Sequence, residues 1–145
     1  MPRIELKPLG TMDIQLGETI DVGDGPKGHR IIADVLTVKL KGEKISAELA
    51  TNDAADWLTL SDNGTLGTLD VRLALKTDDG AYIYVEYGGR MDMAAGVMAV
   101  APTFQTGAPQ YSWINRIQAV AAGAVDFDSG TLTYTLYEAV PGRDS

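Results

Sequence analysis

LGTLDVRLALKTDDGAYIYVEYGGR, residues 66–90, decides the fold. Two apolar-alternating runs, Leu66–Lys76 and Ala81–Gly88, flank Asp78-Asp79-Gly80, a turn with glycine where a three-residue hairpin needs positive φ. Pairing Thr77 with Ala81 sorts the stretch without remainder. Val71, Leu73 and Leu75 then face Tyr87, Val85 and Ile83, while Asp70, Arg72 and Ala74 face Gly88, Glu86 and Tyr84. A slip of one residue mixes the two sets, so the pattern itself specifies the register.

Working outward, Asn63-Gly64 is the strongest short hairpin signal in the chain. Pairing Asp62 with Thr65 sets Leu60 against Gly67, Leu58 against Leu69 and Asp56 against Val71. Asp56 is thereby carried to the apolar face and Trp57 to the other, opposite Asp70; a bulge at Ala54-Ala55 reverses this. Further upstream, Arg30–Lys41 reads as a strand with Ile32, Leu36, Val38 and Leu40 on one face, turning at Gly42-Glu43. Pairing Lys41 with Lys44 sets Leu40 against Ile45 and Leu36 against Leu49. Asp34 breaks the apolar face, and Arg30 shares it near one end.

At the N-terminus, Arg3–Lys7 alternates, Pro8-Leu9-Gly10 interrupts, and Met12, Ile14 and Leu16 resume. The Gly- and acid-rich segment 17–28 reads as a loop. Residues 91–110 are rich in Met, Ala and Gly, and read either as a mobile flap or as a crossover over one end of the sheet. Tyr111–Val120 fits a strand presenting Tyr111, Trp113, Asn115 and Ile117, or a helix aligning Ile114, Ile117 and Val120; its aromatic and β-branched residues favour the strand. Thr131–Ala139 is the last strand, with Leu132, Tyr134 and Leu136 inward, and residues 139–145 are expected to fray.

The 145 residues fit a single domain, and a hydrophobic share of 45% is enough for a packed core. A net charge of −8 with scattered Lys and Arg excludes a phosphate-binding surface, so neither nucleic acid nor a membrane surface is an expected partner. There is no cysteine, and His29 is the single histidine, which removes disulfides, thiolate sites and a His-rich metal centre. No start resembling a signal peptide and no membrane-length apolar run is present, so a cytoplasmic location is expected. No cofactor motif is found either; the Gly-rich stretches match neither a P-loop nor a dinucleotide fingerprint.

Many short strands with long edges call for closure. The expected architecture is therefore all-β, one antiparallel barrel of about eight to ten strands with room inside for one small ligand. The chain also resembles a known family, the domain of unknown function 3237. The resemblance rests on Gly28-His29-Arg30, Ala55-Asp56-Trp57, Leu69-Asp70-Val71-Arg72, Thr77-Asp78-Asp79-Gly80, Phe104-Gln105-Thr106-Gly107, Tyr111-Ser112-Trp113-Ile114-Asn115 and Tyr134-Thr135-Leu136-Tyr137. It implies a small barrel of calycin-like or allene-oxide-cyclase-like kind, and little about activity.

In an apolar interior, ionisable groups are costly unless paired or used, so those that the register turns inward are the candidates for chemistry. Asp56 and Asp34 are candidate proton shuttles, and Arg30 and Tyr87 candidate stabilisers of a developing oxyanion. Tyr111, Trp113, Asn115, Tyr134 and Arg90 are candidate contacts to a small hydrophobic or aromatic ligand. All but Asn115 have a plainer reading: turn capping for Asp56, a salt bridge to Arg30 or Arg90 for Asp34, rim charges for the arginines, and core packing for the aromatics. Asn115 is harder to dismiss, because a buried amide needs several partners. The expected function is a cofactor-free isomerase, cyclase or lyase working by proton transfer, with simple ligand binding as the alternative. Arg72 opposite Glu86, with Thr131, Thr133 and Thr135, gives an outer face suited to a homo-oligomer contact.

Overall fold

The 66–90 hairpin forms with the register its pattern requires: Val71 pairs with Tyr87, Leu73 with Val85 and Leu75 with Ile83. Along both strands burial alternates residue by residue, with Leu75, Ile83 and Val85 fully buried. The computed structural model describes residues 1–144. In chain order its strands are β1 (Pro2–Gly25), β2 (Gly28–Lys41), β3 (Ser46–Leu49), β4 (Ala55–Ser61), β5 (Leu66–Thr77), β6 (Tyr82–Asp92), β7 (Val97–Val100), β8 (Thr103–Gln105), β9 (Ala119–Asp126) and β10 (Thr131–Arg143). A 3₁₀ segment, Pro109–Arg116, stands between β8 and β9. No helix among the described residues is long and apolar enough to cross a membrane.

All pairings are antiparallel, in the order β3-β5-β4-β2-β1-β10-β9-β7-β6-β8. Because β5 also pairs with β6, the ladder from β5 through β4, β2, β1, β10, β9 and β7 returns to its start. The result is barrel-like, and the inward side chains of the strands form one apolar cluster.

The Asn63-Gly64 turn forms as read, with Asn63 and Gly64 at φ of 57° and 81°, and it sets Leu60 against Gly67 and Asp56 against Val71. The β2 reading needs correction. A bulge where β1 and β2 change register between Gln15 and Leu16 puts Leu36 and Thr37 both outward. Downstream, Val38 and Leu40 are buried as expected; upstream, the phase reverses, so Ala33 and Val35 are buried while Asp34 and Arg30 join the outer face. Leu36 is 54% exposed and lies over Gly17, where an added Cβ would meet its Cγ at 2.8 Å. The turn into β3 is also longer than the two residues read from Gly42-Glu43. The Gly42 N–H donates to the Ile45 carbonyl at 2.8 Å, and Lys41 pairs with Ser46 rather than Lys44. Leu49 faces Leu75 instead of Leu36.

Three further expectations change. Residues 17–28 are not a loop: β1 and β2 run on as a two-stranded arm to Gly25 opposite Gly28. Both faces of this arm are largely solvated, so it lacks the apolar alternation by which strands are recognised. Residues 139–143 are strand, reaching Arg143 opposite Pro2; Ser145, in the expected frayed tail, lies outside the described residues. Residues 111–116 are 3₁₀ rather than strand. Pro109 opens that segment, and Asn115 anchors it by accepting the Thr106 N–H at 2.8 Å and donating to the Thr106 carbonyl at 2.9 Å.

Residues 91–110 hold β7, between β6 and β9, and β8, on β6. These two strands tie the stretch into the sheet, so it is not a free flap. Arg72 and Glu86 stand opposite each other, but no ion pair joins them among the described residues. The Arg72 guanidinium instead sits 5.0 Å from the Trp57 ring centre, and Glu86 accepts the Tyr84 hydroxyl at 2.9 Å.

Candidate functional site

The inward faces of β1, β2, β4, β5, β6, β9 and β10 leave a cavity of about 370 Å³ at the end of the sheet that carries the 61–65, 92–96 and 126–130 turns. At the opposite end the 3₁₀ segment packs Ile114 into the core at 1% exposure. Aliphatic residues such as Ile14, Ile31, Leu58 and Val71 make most of the wall, together with Met91, Met93 and Met98. Four polar side chains interrupt it: Asp56, Tyr87 and Tyr134, and the exposed Thr19 of β1.

Asp56 owes its position to a break in the β4–β5 ladder. Pairing holds at Asp56 with Val71 and resumes at Thr59 with Thr68, while Trp57 and Leu58 are skipped. Strand alternation aims the Asp70 N–H at the Trp57 carbonyl. Instead that N–H donates to Asp56 Oδ1 at 3.0 Å, and the Trp57 carbonyl accepts Arg30 Nη1 at 2.6 Å from the outer face. The carboxylate thus repairs the ladder with one oxygen. Oδ2 has no hydrogen bond within the protein among the described residues and is not sealed from the cavity. Burial raises the carboxyl from its ordinary 3.8 to about 6, against the lowering effect of the Asp70 amide; the Asp70 charge adds to the rise and the Arg30 charge opposes it.

Tyr87 and Tyr134 meet edge to face, with ring centres 5.5 Å apart and planes at 78°. Tyr134 lies across Gly123, where an added Cβ would stand 2.6 Å from the ring, and its hydroxyl donates to Met98 Sδ at 3.3 Å. Burial holds both phenols above their usual value; for Tyr87 the neighbouring Tyr134 hydroxyl and the Asp56 carboxylate add to the rise. A partly buried carboxylate able to take a proton near neutrality, beside neutral phenols able to donate hydrogen bonds, is equipped for proton transfer.

The other residues singled out from the sequence lie elsewhere. Asp34 faces outward opposite Ala55, so it cannot act as a second carboxylate in the cavity. Arg30 is on the same outer face, committed to the Trp57 carbonyl. Arg90 is exposed on the outer face of β6 and donates to the adjacent Gly89 carbonyl at 3.1 Å. Tyr111 donates to Asp79 Oδ1 at 2.9 Å, Trp113 carries Lys44 Nζ at 4.8 Å from its ring centre, and Asn115 holds Thr106. These last three belong to the closed end. Reasoning from sequence missed the three methionines and Phe127 of the cavity wall; Met-rich composition in 91–98 was the available signal. Among the described residues, no three His, Cys, Asp or Glu side chains gather to hold a metal ion.

Solved structures share this architecture. A β-barrel-like protein from Acinetobacter baumannii superposes with a TM-score of 0.85 at 26% identity, over 97% of this chain and 98% of that one. The conserved protein of unknown function RPA1785 from Rhodopseudomonas palustris gives the same TM-score of 0.85 and 26% identity, over 97% and 100% of the two chains. In sequence comparison the UPF0311 protein RPA1785 is 28% identical over 139 residues, covering 85% of this chain and 90% of its own. A structure described as an enzyme from Penicillium herquei matches at a TM-score of 0.68 and 19% identity over 96% and 95% of the chains, a likeness of fold alone. The family model described as "Protein of unknown function (DUF3237)" matches residues 4–139, and the chain belongs to that family.

Proposed function

We propose that the cyclic ladder is a calycin-like or allene-oxide-cyclase-like barrel whose cavity takes one small hydrophobic or phenolic oxygenated molecule, and that the protein acts on it by cofactor-free proton transfer. The observation that carries this reading is Asp56: a carboxylate with one oxygen unbonded within the protein, in a mostly apolar cavity that Tyr87 and Tyr134 also line. As a base, Asp56 Oδ2 removes a proton from carbon next to a carbonyl, and the C–H electron pair moves onto the carbonyl oxygen as an enolate. Tyr87 donates a hydrogen bond to that oxygen. Returning the proton to a different carbon isomerises the molecule. Adding the enolate oxygen across an electron-poor C=C bond of the same molecule, whose π pair then takes the proton back from Asp56, gives cyclisation. Re-forming the carbonyl with expulsion of a β-substituent, which leaves with its bonding pair and that proton, gives elimination. A cavity of about 370 Å³ sits near the small end of the usual range for ligand sites, about 300–1,000 Å³.

The test uses 2-tetralone, an uncharged two-ring ketone with acidic C–H groups, in deuterated water. The expected result is faster deuterium uptake with protein than with buffer, lost in Asp56→Asn while 2-tetralone binding stays within about threefold, because the amide still accepts the Asp70 N–H. Binding without accelerated uptake assigns the same cavity to a carrier. No binding at all removes the reading.

A further inference from the structure

The cavity has a charge character as well as a shape. Among the described residues no Lys, Arg or His lines it, and its single ionisable carboxylate has no counter-charge inside. Its rim is acidic. The segments 17–19, 61–65, 92–96 and 126–130 gather at the open end with exposed Glu18, Asp62, Asp92, Asp126 and Asp128, and none of them contains a Lys or Arg. Lys27 stands away at the tip of the β1–β2 arm, and Arg30 is turned outward onto the Trp57 carbonyl. An anion entering here passes five carboxylates and then meets a sixth, Asp56, without a cation to receive it. Burying such a charge unpaired costs far more than the apolar wall returns.

A primary ammonium is attracted by these carboxylates but is not fully solvated by the cavity. An ammonium brings three N–H donors, whereas Asp56 Oδ1 already accepts the Asp70 N–H and the Tyr134 hydroxyl is directed at Met98. One carboxylate oxygen and the Tyr87 hydroxyl do not replace its water shell. A neutral molecule with a single O–H has the right inventory: one donor for Oδ2, and apolar surface for Val71, Leu58 and the methionines.

We infer that the cavity selects uncharged lipophiles bearing one hydroxyl donor and rejects carboxylates and phosphates of the same size. This rests on the cavity being the ligand site, as proposed above, but not on turnover. It sorts ligand classes by charge. Fatty acids, acyl phosphates and nucleotides fall outside the class; enols, phenols and terpenoid-like alcohols fall within it.

The experiment compares 2-naphthol, naphthalene and 2-naphthoate binding to the full chain at pH 7.5, with ¹³C-methyl methionine spectra to locate each. Met91, Met93 and Met98 line the cavity whereas Met1 and Met12 do not, so a ligand in the cavity moves only the first three signals. The expected order is 2-naphthol, then naphthalene about tenfold weaker for want of the hydroxyl, then 2-naphthoate about a hundredfold weaker than 2-naphthol or beyond detection. In Asp56→Ala the advantage of 2-naphthol over naphthalene should shrink to about twofold or less. Should that variant not fold, the three-ligand order on the wild-type chain decides alone. Tight 2-naphthoate binding that moves the three cavity methionines overturns the charge selection while leaving the cavity as a ligand site. If none of the three compounds moves those signals, both the selection and the cavity reading fall.

Discussion

Two aspartates share their surroundings with tyrosines, one at each end of the sheet: Asp79 bonds Tyr111, and Asp56 lines one cavity with Tyr87 and Tyr134. At the closed end Asp79 sits in the β5–β6 turn and accepts the Thr77 hydroxyl at 2.5 Å and the Tyr111 hydroxyl at 2.9 Å, with Gln110 at 3.5 Å. At the open end Asp56 accepts one backbone N–H, beside Tyr87 and Tyr134. The residue types match and the electrostatics are opposite. The hydroxyls of Thr77 and Tyr111 hold the Asp79 carboxyl below its ordinary range, while burial lifts that of Asp56 to about 6. What separates the two carboxylates is therefore the hydrogen-bonding capacity left over, not the neighbouring residue types, and the proposed base is the one with an oxygen to spare. Asp79 spends both oxygens on the fold; Asp56 keeps one for the cavity.

The largest effect expected from this contrast is on proton transfer. Asp56→Asn should lower the rate of 2-tetralone deuterium uptake by about 10²–10⁴-fold, the usual contribution of a positioned acid or base, while Asp79→Asn should leave that rate unchanged. Equal losses from both variants would show that overall integrity, rather than Asp56, governs the rate.

The pH dependence of stability gives the next effect, with a sign that differs between the two carboxylates. Asp56 binds its proton more tightly in the folded than in the unfolded chain, so its contribution to stability is greatest at low pH and falls as pH rises from about 4 to 6. The span from 3.8 to about 6 corresponds to at most about 3 kcal/mol, and access of Oδ2 to the cavity reduces this to about 2 kcal/mol. Asp56→Asn should erase this fall and be more stable than wild type above pH 7 by a similar amount. Asp79 behaves in the opposite sense: its contribution is present above the ordinary carboxylate range and is lost as pH drops through its lowered value. Urea unfolding of the wild type and both variants at pH 4, 5.5 and 7.5 measures the two slopes; an unchanged slope in Asp56→Asn would mean that this carboxyl titrates normally.

Gly123 tests how the Tyr134 side of the site is held. Its missing Cβ is the space Tyr134 occupies, 2.6 Å from where that carbon would stand. Gly123→Val should displace the Tyr134 ring, shift the Met98 methyl signal and cost about 1–3 kcal/mol, as overpacking does. Wild-type stability together with an unmoved Met98 signal would mean that the ring is not wedged.

Those same residues mark how far the sequence could be read. The β4, β5 and β6 registers were legible because each strand has one wet and one dry face and each turn has its glycine, and through them Asp56 and Tyr87 were placed inward. Tyr134 followed from the alternation of the last strand. Asp34 was not legible, since a bulge at Leu36 changes the phase without altering composition, and the sequence on either side still looks continuous. The β1–β2 arm escaped for a related reason: a ribbon solvated on both faces has no period to detect. It is held partly by His29, whose ring nitrogens approach Asp21 Oδ1 at 2.7 Å and Asp24 Oδ1 at 2.9 Å, contacts that depend on a pairing the sequence did not show.

The smallest effect belongs to Asn115, and it sharpens the contrast between the two ends. Its amide was a candidate ligand contact because a buried amide needs several partners. The partners are present, but both are backbone groups of Thr106, so the side chain ties the 3₁₀ segment to β8 and reaches no cavity. Two hydrogen bonds at a solvent-accessible site contribute about 1 kcal/mol together. Asn115→Ala should therefore lower stability by about that much, speed amide exchange at Thr106, and leave 2-naphthol affinity unchanged. Asn115→Asp should restore only the bond accepted from the Thr106 N–H, because a carboxylate cannot donate to the carbonyl. If either variant weakened 2-naphthol binding as strongly as Asp56→Ala does, the closed end would be coupled to the cavity, and the division between a structural and a chemical end would have to be redrawn.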